Sequence, residues 1–140
     1  MKNGKYEHPG ITFLKSLYQH CEQGFINLRF LPSGKNLFVP LAEIDSVLPI
    51  LEGHKNQNIF FGVATRKEGD GSKAGIIHIP ALWCDIDFKN LTEKETEQVR
   101  NRSFPLKPTF VIHSGGGVHV YWKLKEPLSD AEIAIAEDYL

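Results

Sequence analysis

A short link between two apolar segments is the feature that most constrains how this chain can fold. The residues Ser114–Gly117 join the segment Thr109–His113 to the segment Gly117–Leu124, and both segments have the composition of β-strands. Two parallel strands need a crossover of a dozen or more residues, whereas this link is long enough only for a hairpin. We therefore expect the two strands to pair antiparallel.

The remaining pattern predicts an α+β fold in one domain over residues 1–140, with helices packed on a mainly antiparallel or mixed sheet. Apolar spacing or capping residues predict four helices, at Ile11–Gln23 (ended by Gly24), Leu41–Leu51, Thr92–Arg102 and from Ser129 to Leu140. Strands are predicted at Phe25–Phe30, Asn36–Val39, Asn58–Thr65, Ala81–Phe88, Thr109–His113 and Gly117–Leu124. The glycine-rich, charged segment Arg66–Gly75 is expected to be a mobile loop.

Charge and cysteine content exclude some classes of protein. The formal net charge of −1 over 140 residues argues neither for nor against a nucleic-acid partner. Cys21 and Cys84 form no CxxC pair, which excludes a cysteine-rich zinc site and favours a reduced, cytoplasmic setting. No apolar run is long enough to span a bilayer, so we expect no membrane partner.

Two aspartates interrupt the apolar segment Ala81–Phe88. Side chains alternate across a strand, so Asp85 and Asp87 should share a face with Trp83, while Leu82, Cys84, Ile86 and Phe88 point towards the core. Two neighbouring carboxylates repel each other, and a divalent cation removes that cost. The alternative is that both aspartates are simply solvated on an exposed face.

The second candidate element is the sequence Ser114-Gly115-Gly116-Gly117-Val118-His119. Consecutive glycines let a backbone approach an anion closely and direct its N–H groups at a phosphate. On the strand that follows, His119, Tyr121 and Lys123 should line one face, so His119 is placed to donate to a phosphate oxygen. A plain glycine hairpin with a surface histidine is the alternative.

Several other basic side chains are weaker candidates. Arg66, at the end of one predicted strand, and Arg29, on the polar face of another, are placed where they could contact a nucleotide or a template phosphate. Each is also what an ordinary surface arginine would look like. His113, Lys67 and Lys73 carry no stronger signal.

The two motifs LWCDIDF and SGGGVHVYW, in this order, resemble those of the archaeo-eukaryotic primase superfamily, and most closely the primase-polymerases of phages and plasmids. The similarity spans roughly Asn58–Leu128 and implies part of an RRM-like catalytic core. It implies that Asp85 and Asp87 bind catalytic Mg²⁺ or Mn²⁺. It implies that Ser114 and His119 hold the triphosphate of the incoming nucleotide, with His119 as a catalytic residue. The other nucleotide-binding candidates come from the residues themselves: Gly115, Gly116 and Gly117 in the turn, and Arg66 at the end of a strand.

The third motif of that superfamily, an apolar residue followed by an acidic one on a later strand, is not found. Asp138 is the only late candidate, but it lies in a predicted helix and follows His119 too soon. We therefore expect the chain to be truncated before the third motif.

The resemblance implies a DNA primase or polymerase that transfers nucleotides from nucleoside triphosphates onto a 3′-hydroxyl during DNA replication. It also implies a DNA template and primer as partners, and allows for a replicative helicase domain. Two alternatives stay open. A metal-dependent nuclease would use the same acidic pair but has no need of a triphosphate-binding turn. A replication-initiation module would bind nucleotide or DNA without reacting, as the missing third carboxylate would suggest.

Overall fold

A computed structural model describes residues 7–129 of the chain. Its strands are β1 (Phe25–Leu31), β2 (Asn36–Pro40), β3 (Asn58–Arg66), β4 (Ile76–Asp87), β5 (Phe110–His113) and β6 (Gly117–Leu128). These strands are hydrogen bonded in the order β2-β1-β3-β4-β6-β5. The helices are α1 (Pro9–Leu17), α2 (Val47–Glu52) and α3 (Glu93–Arg100), with 3-10 helices at Leu41–Ser46, Lys73–Gly75 and Phe88–Asn90. The expected α+β class with an antiparallel sheet is confirmed.

Two compact units make up the described part of the chain. One comprises residues 7–80 and 126–129, and the other comprises Ala81–Lys125. In the first unit, β1 pairs antiparallel with β2 and β3, and Thr65 on β3 lies opposite His78 on β4. In the second unit, Val111 lies opposite Val120 in the β5–β6 hairpin that the short link requires.

The core of the first unit follows from the alternation of β1. Ile26, Leu28 and Phe30 are fully buried or nearly so, as predicted, while Arg29 is exposed. Helix α1 covers this face with its buried side chains Ile11, Leu14 and Leu17. Burial of large apolar side chains is the main stabilising contribution in such a core.

Helix α1 is shorter than the predicted Ile11–Gln23. It begins earlier because the imidazole of His8 accepts the Gly10 N–H at 3.0 Å and Pro9 occupies the first helical position. It ends at Leu17, and the buried Tyr18 that follows donates its hydroxyl to the Gly62 carbonyl at 2.6 Å.

Gly24 does not end this helix, so the predicted role of that glycine was wrong. Its φ is +112°, and a Cβ there would lie 2.7 Å from the Cβ of Thr65. Glycine is required at this position because the backbone passes close to β3, in a conformation that other residues rarely adopt.

The predicted helix Leu41–Leu51 is divided in two. A 3-10 helix covers Leu41–Ser46, and Glu43 within it has non-helical angles of −113° and 29°. Helix α2 follows, and Pro49 lies in its first turn, where a missing N–H costs little. The helix predicted from Ser129 onwards, and Asp138 within it, lie outside the described residues.

The two predicted faces of the acidic strand were only partly right. Strand β4 begins at Ile76, five residues before the predicted start, and Leu82 and Cys84 are exposed rather than in the core. Helix α3 matches its prediction better, since Thr92 caps it and forms a reciprocal capping box with Glu95.

The capping box gives α3 a pH-dependent contribution to stability. The hydrogen bond from the Thr92 backbone N–H, at 3.0 Å, is the main reason that the pKa of Glu95 is held below its usual value. A lowered carboxyl pKa adds stability at neutral pH that is lost as the pH falls through that lowered value. We expect Glu95→Gln to unfold more easily than the parent chain at pH 7 and to lose this disadvantage in acid, as measured by urea unfolding.

A matched control is Glu93→Gln, which removes a first-turn carboxylate that makes no capping-box contact. A disadvantage of Glu95→Gln that stayed constant down to pH 3 would contradict the assignment.

Candidate functional site

Strands β4 and β6 bring five side chains together in the second unit, of which Tyr121 is buried and the other four are accessible to solvent. Nε2 of His119 lies 3.5 Å from Oδ1 of Asp85. The Trp83 ring centroid lies 6.3 Å from the ring centroids of both His119 and Tyr121, and it is stacked on the latter. We call this surface the acidic-aromatic face, which consists of Trp83, Asp85, Asp87, His119 and Tyr121.

Both aspartates are accessible to solvent on this face. The Asp85 side chain is 60% exposed and that of Asp87 is 44% exposed. Oδ1 of Asp87 accepts the Lys89 backbone N–H at 3.1 Å and so caps the 3-10 helix Phe88–Asn90, while the Lys89 ammonium lies 3.6 Å from Oδ2. Asp87 thus has a structural role that the sequence pattern did not reveal, and an exposed lysine partly offsets its charge.

The carboxylate of Asp85 raises the pKa of two neighbouring side chains. Burial raises the pKa of the Tyr121 phenol, and the Asp85 carboxylate raises it further. Although Cys84 is exposed as a residue, partial desolvation of its thiol raises the thiol pKa, and the Asp85 carboxylate raises it further. Tyr121 and Cys84 therefore stay protonated at neutral pH.

The glycine turn packs directly against the end of β4. The Phe88 N–H donates to the Gly116 carbonyl at 2.9 Å, and a Cβ on Gly117 would overlap the carbonyl oxygen of Ile86. Only glycine fits at position 117 for this reason. The contact places the turn immediately beside Asp87.

The tip of the turn is open. Gly115 has a φ of +92°, and neither Gly115 nor Gly116 has any atom within 4 Å of the position that a Cβ would occupy. Within residues 7–129, the backbone N–H groups of these two glycines donate to no protein acceptor, whereas the Ser114 N–H donates to the Gly117 carbonyl at 3.0 Å. The turn thus offers two exposed donors, as an anion-binding nest requires.

The register of the β5–β6 hairpin shows which residues of β5 share a face with His119 and Tyr121. Ile112 lies opposite His119 and therefore shares its face, whereas His113 lies opposite Val118 and points to the other face. Phe110 lies opposite Tyr121 and joins the same face as Ile112. Alternation along Phe110–His113 indicates that Phe110 and Ile112 share one face of the strand and that His113 lies on the other. Only the register with β6 shows that the face of Phe110 and Ile112 is the acidic-aromatic face.

Arg66 belongs to the first unit. Its guanidinium Nη1 donates to the Ser72 carbonyl at 2.6 Å, within the loop between β3 and β4. That loop was expected to be mobile, but it is held by several hydrogen bonds, including one from the Lys67 N–H to the Gly75 carbonyl at 2.8 Å. The structure thus gives Arg66 a local role, and its contact with a nucleotide stays a prediction.

The chemistry of the two aspartates suits Mg²⁺ or Mn²⁺, which prefer carboxylate oxygen ligands. Across residues 7–129 there is no group of three or more His, Cys, Asp or Glu side chains placed to hold a metal ion. Asp85 and Asp87 would therefore supply two ligands, and phosphate oxygens and water would have to supply the others, as is usual for Mg²⁺.

No protein-family model, curated protein or solved structure matches this chain. No helix among the described residues is both long and apolar enough to cross a membrane.

The contact between the turn and β4 can be tested by two glycine substitutions. Gly117→Ala should lower the free energy of unfolding by about 1–3 kcal/mol, because its Cβ would overlap the Ile86 carbonyl. The matched control Gly116→Ala, next to it in open space, should change stability by about 0.5 kcal/mol or less. Urea unfolding followed by tryptophan fluorescence measures both, and equal effects would contradict the close contact.

Proposed function

We propose that this chain binds a nucleoside triphosphate together with Mg²⁺ or Mn²⁺, as the nucleotide-binding part of a nucleotidyltransferase of the archaeo-eukaryotic primase type with an RRM-like core. The observation that carries the proposal is the placement of the open glycine turn beside the aspartate pair, through the Phe88–Gly116 hydrogen bond. An anion-binding turn next to two exposed carboxylates suits a ligand that combines phosphate with a divalent cation.

Each group of this site has a definite part in the proposed function. The N–H groups of Gly115 and Gly116 bind phosphate oxygens, and the His119 imidazole donates from the adjacent strand. Asp85 and Asp87 hold the cation, which supplies neutralisation of the charge that develops on the phosphates. The protein itself contributes position and electrostatics, as in other phosphoryl transfers.

A non-catalytic nucleotide-binding module is the second candidate. It is favoured because residues 7–129 contain no group of three or more His, Cys, Asp or Glu side chains placed to hold a metal ion. Primer extension with Mn²⁺ and deoxynucleoside triphosphates distinguishes the two candidates. Extension that requires Asp85 and Asp87 supports the nucleotidyltransferase, whereas binding without extension supports the module.

A nuclease is less well supported, because it would leave the open glycine turn without a role. The DNA template and primer, and a helicase partner, follow only from the sequence resemblance.

We expect Asp85 and Asp87 to bind one divalent cation together. Calorimetric titration with Mn²⁺ should show binding that Asp85→Asn/Asp87→Asn abolishes, because amides remove both negative charges while keeping the side-chain size. The matched control is Glu93→Gln/Glu97→Gln, which removes two exposed carboxylates from α3. Unchanged Mn²⁺ affinity in the double aspartate variant would exclude the site.

We expect His119 to contribute to triphosphate recognition. A nucleoside triphosphate should bind more tightly than the monophosphate, and His119→Ala should weaken triphosphate binding by about 1–3 kcal/mol, the usual range for hydrogen bonds to charged groups. His113→Ala is the control, because His113 is an exposed histidine on the opposite face of the hairpin. Equal losses in the two variants, or equal affinity for the two nucleotides, would remove His119 from the site.

A further inference from the structure

We infer that Trp83 is the stacking platform for the base of the nucleotide whose phosphates lie at the glycine turn. This inference rests on the proposed function and deepens it, because it assigns the position of the base. It starts from an exposed aromatic ring that the phosphate and metal chemistry does not use. Trp83 is 51% exposed on the acidic-aromatic face, although large aromatic side chains are normally mostly buried.

The surroundings of Trp83 hold its ring in place. The Tyr121 ring lies nearly parallel to the Trp83 ring, with an interplanar angle of 23°. The His119 ring also lies next to Trp83, and its plane is tilted by 44° from the plane of the indole. Tyr121 is itself buried, so it forms a fixed support rather than a second mobile ring. An exposed indole that is supported in this way presents a preorganised apolar plane.

The direction and length of the site fit a nucleotide. Going back along β4 from Asp87, next to the turn, the chain passes Asp85 and reaches Trp83 four residues away, on the same face. Four residues of extended strand span about 13 Å, comparable to the length of an extended nucleoside triphosphate. With phosphates at Gly115 and Gly116 and the cation at the aspartates, the base reaches the indole.

The chemistry of the face also favours a base. Every nucleobase has a π-face that can stack on an aromatic ring, and such stacking tolerates any base sequence. The ring lies beside a carboxylate and an imidazole, so a purely apolar ligand would leave the polar groups of the face without a function. A planar, polar heterocycle attached to phosphates can stack on the indole of Trp83 while its phosphates and cation bind at the glycine turn and the aspartates.

The test compares a ligand that has a base with one that lacks it. In the presence of Mn²⁺, Trp83→Leu should weaken binding of a nucleoside triphosphate about 5- to 150-fold, the range that base–aromatic stacking produces. Binding of inorganic tripolyphosphate should be unchanged. Trp83→Phe should restore most of the affinity, because phenylalanine keeps an aromatic plane.

Phe60→Leu serves as a control, since Phe60 is equally exposed, at 52%, but lies on β3 and not on the acidic-aromatic face. A direct reading comes from the Trp122→Phe background, in which Trp83 is the sole tryptophan of the chain. Its fluorescence should be quenched by the nucleoside triphosphate and not by tripolyphosphate.

The outcomes separate the inference from the proposed function. In one outcome, the parent chain binds the nucleoside triphosphate no better than tripolyphosphate, and Trp83→Leu binds each ligand with the same affinity as the parent chain. This outcome overturns the stacking inference while the phosphate and metal site stands. If Trp83→Leu weakens binding of a short single-stranded oligonucleotide but not of the nucleotide, the platform serves a nucleic-acid strand and the inference is also overturned. If neither phosphate ligand binds the parent chain, the inference and the proposed function fail together.

Discussion

The candidate site depends on one close backbone contact, between the glycine turn and the end of β4. Gly117 leaves no space for a Cβ against the Ile86 carbonyl, and the Phe88 N–H donates to the Gly116 carbonyl. Since this contact is made by main-chain atoms, it positions the open glycines relative to Asp87 independently of any side-chain rotamer. Sites held by rigid backbone elements keep their geometry better than sites held by flexible side chains.

The charges of the acidic-aromatic face are balanced only loosely within the chain. Asp87 pairs with Lys89 at 3.6 Å, and Asp85 lies 3.5 Å from a histidine that carries charge only when protonated. Ion pairs at exposed positions contribute little to stability and are readily replaced. A bound cation can therefore displace Lys89 at small cost, while the burial of Tyr121 beneath the face keeps the supporting surface fixed.

Local sequence patterns predicted the structure correctly where the interaction that decides it joins residues close together in the sequence. The hairpin follows from the length of its link, the capping box follows from two residues three positions apart, and the buried face of β1 follows from alternation. The same reasoning brought Asp85 and Trp83 to one side of β4 and His119 and Tyr121 to one side of β6. It could not show that these two sides are the same surface, because that depends on how the strands pair.

The sequence by itself thus determined the α+β class and the antiparallel hairpin, and it predicted the residues of the candidate site. Only the tertiary structure decided where α1 ends, why Gly24 is a glycine, that Leu82 and Cys84 are exposed, and that Asp87 caps a 3-10 helix beside Lys89. The reason is physical. The Tyr18–Gly62 hydrogen bond joins residues 44 positions apart, and Gly24 is constrained by Thr65 on another strand. Local propensities differ by only about 1 kcal/mol or less per residue for most residues, so such long-range contacts override them.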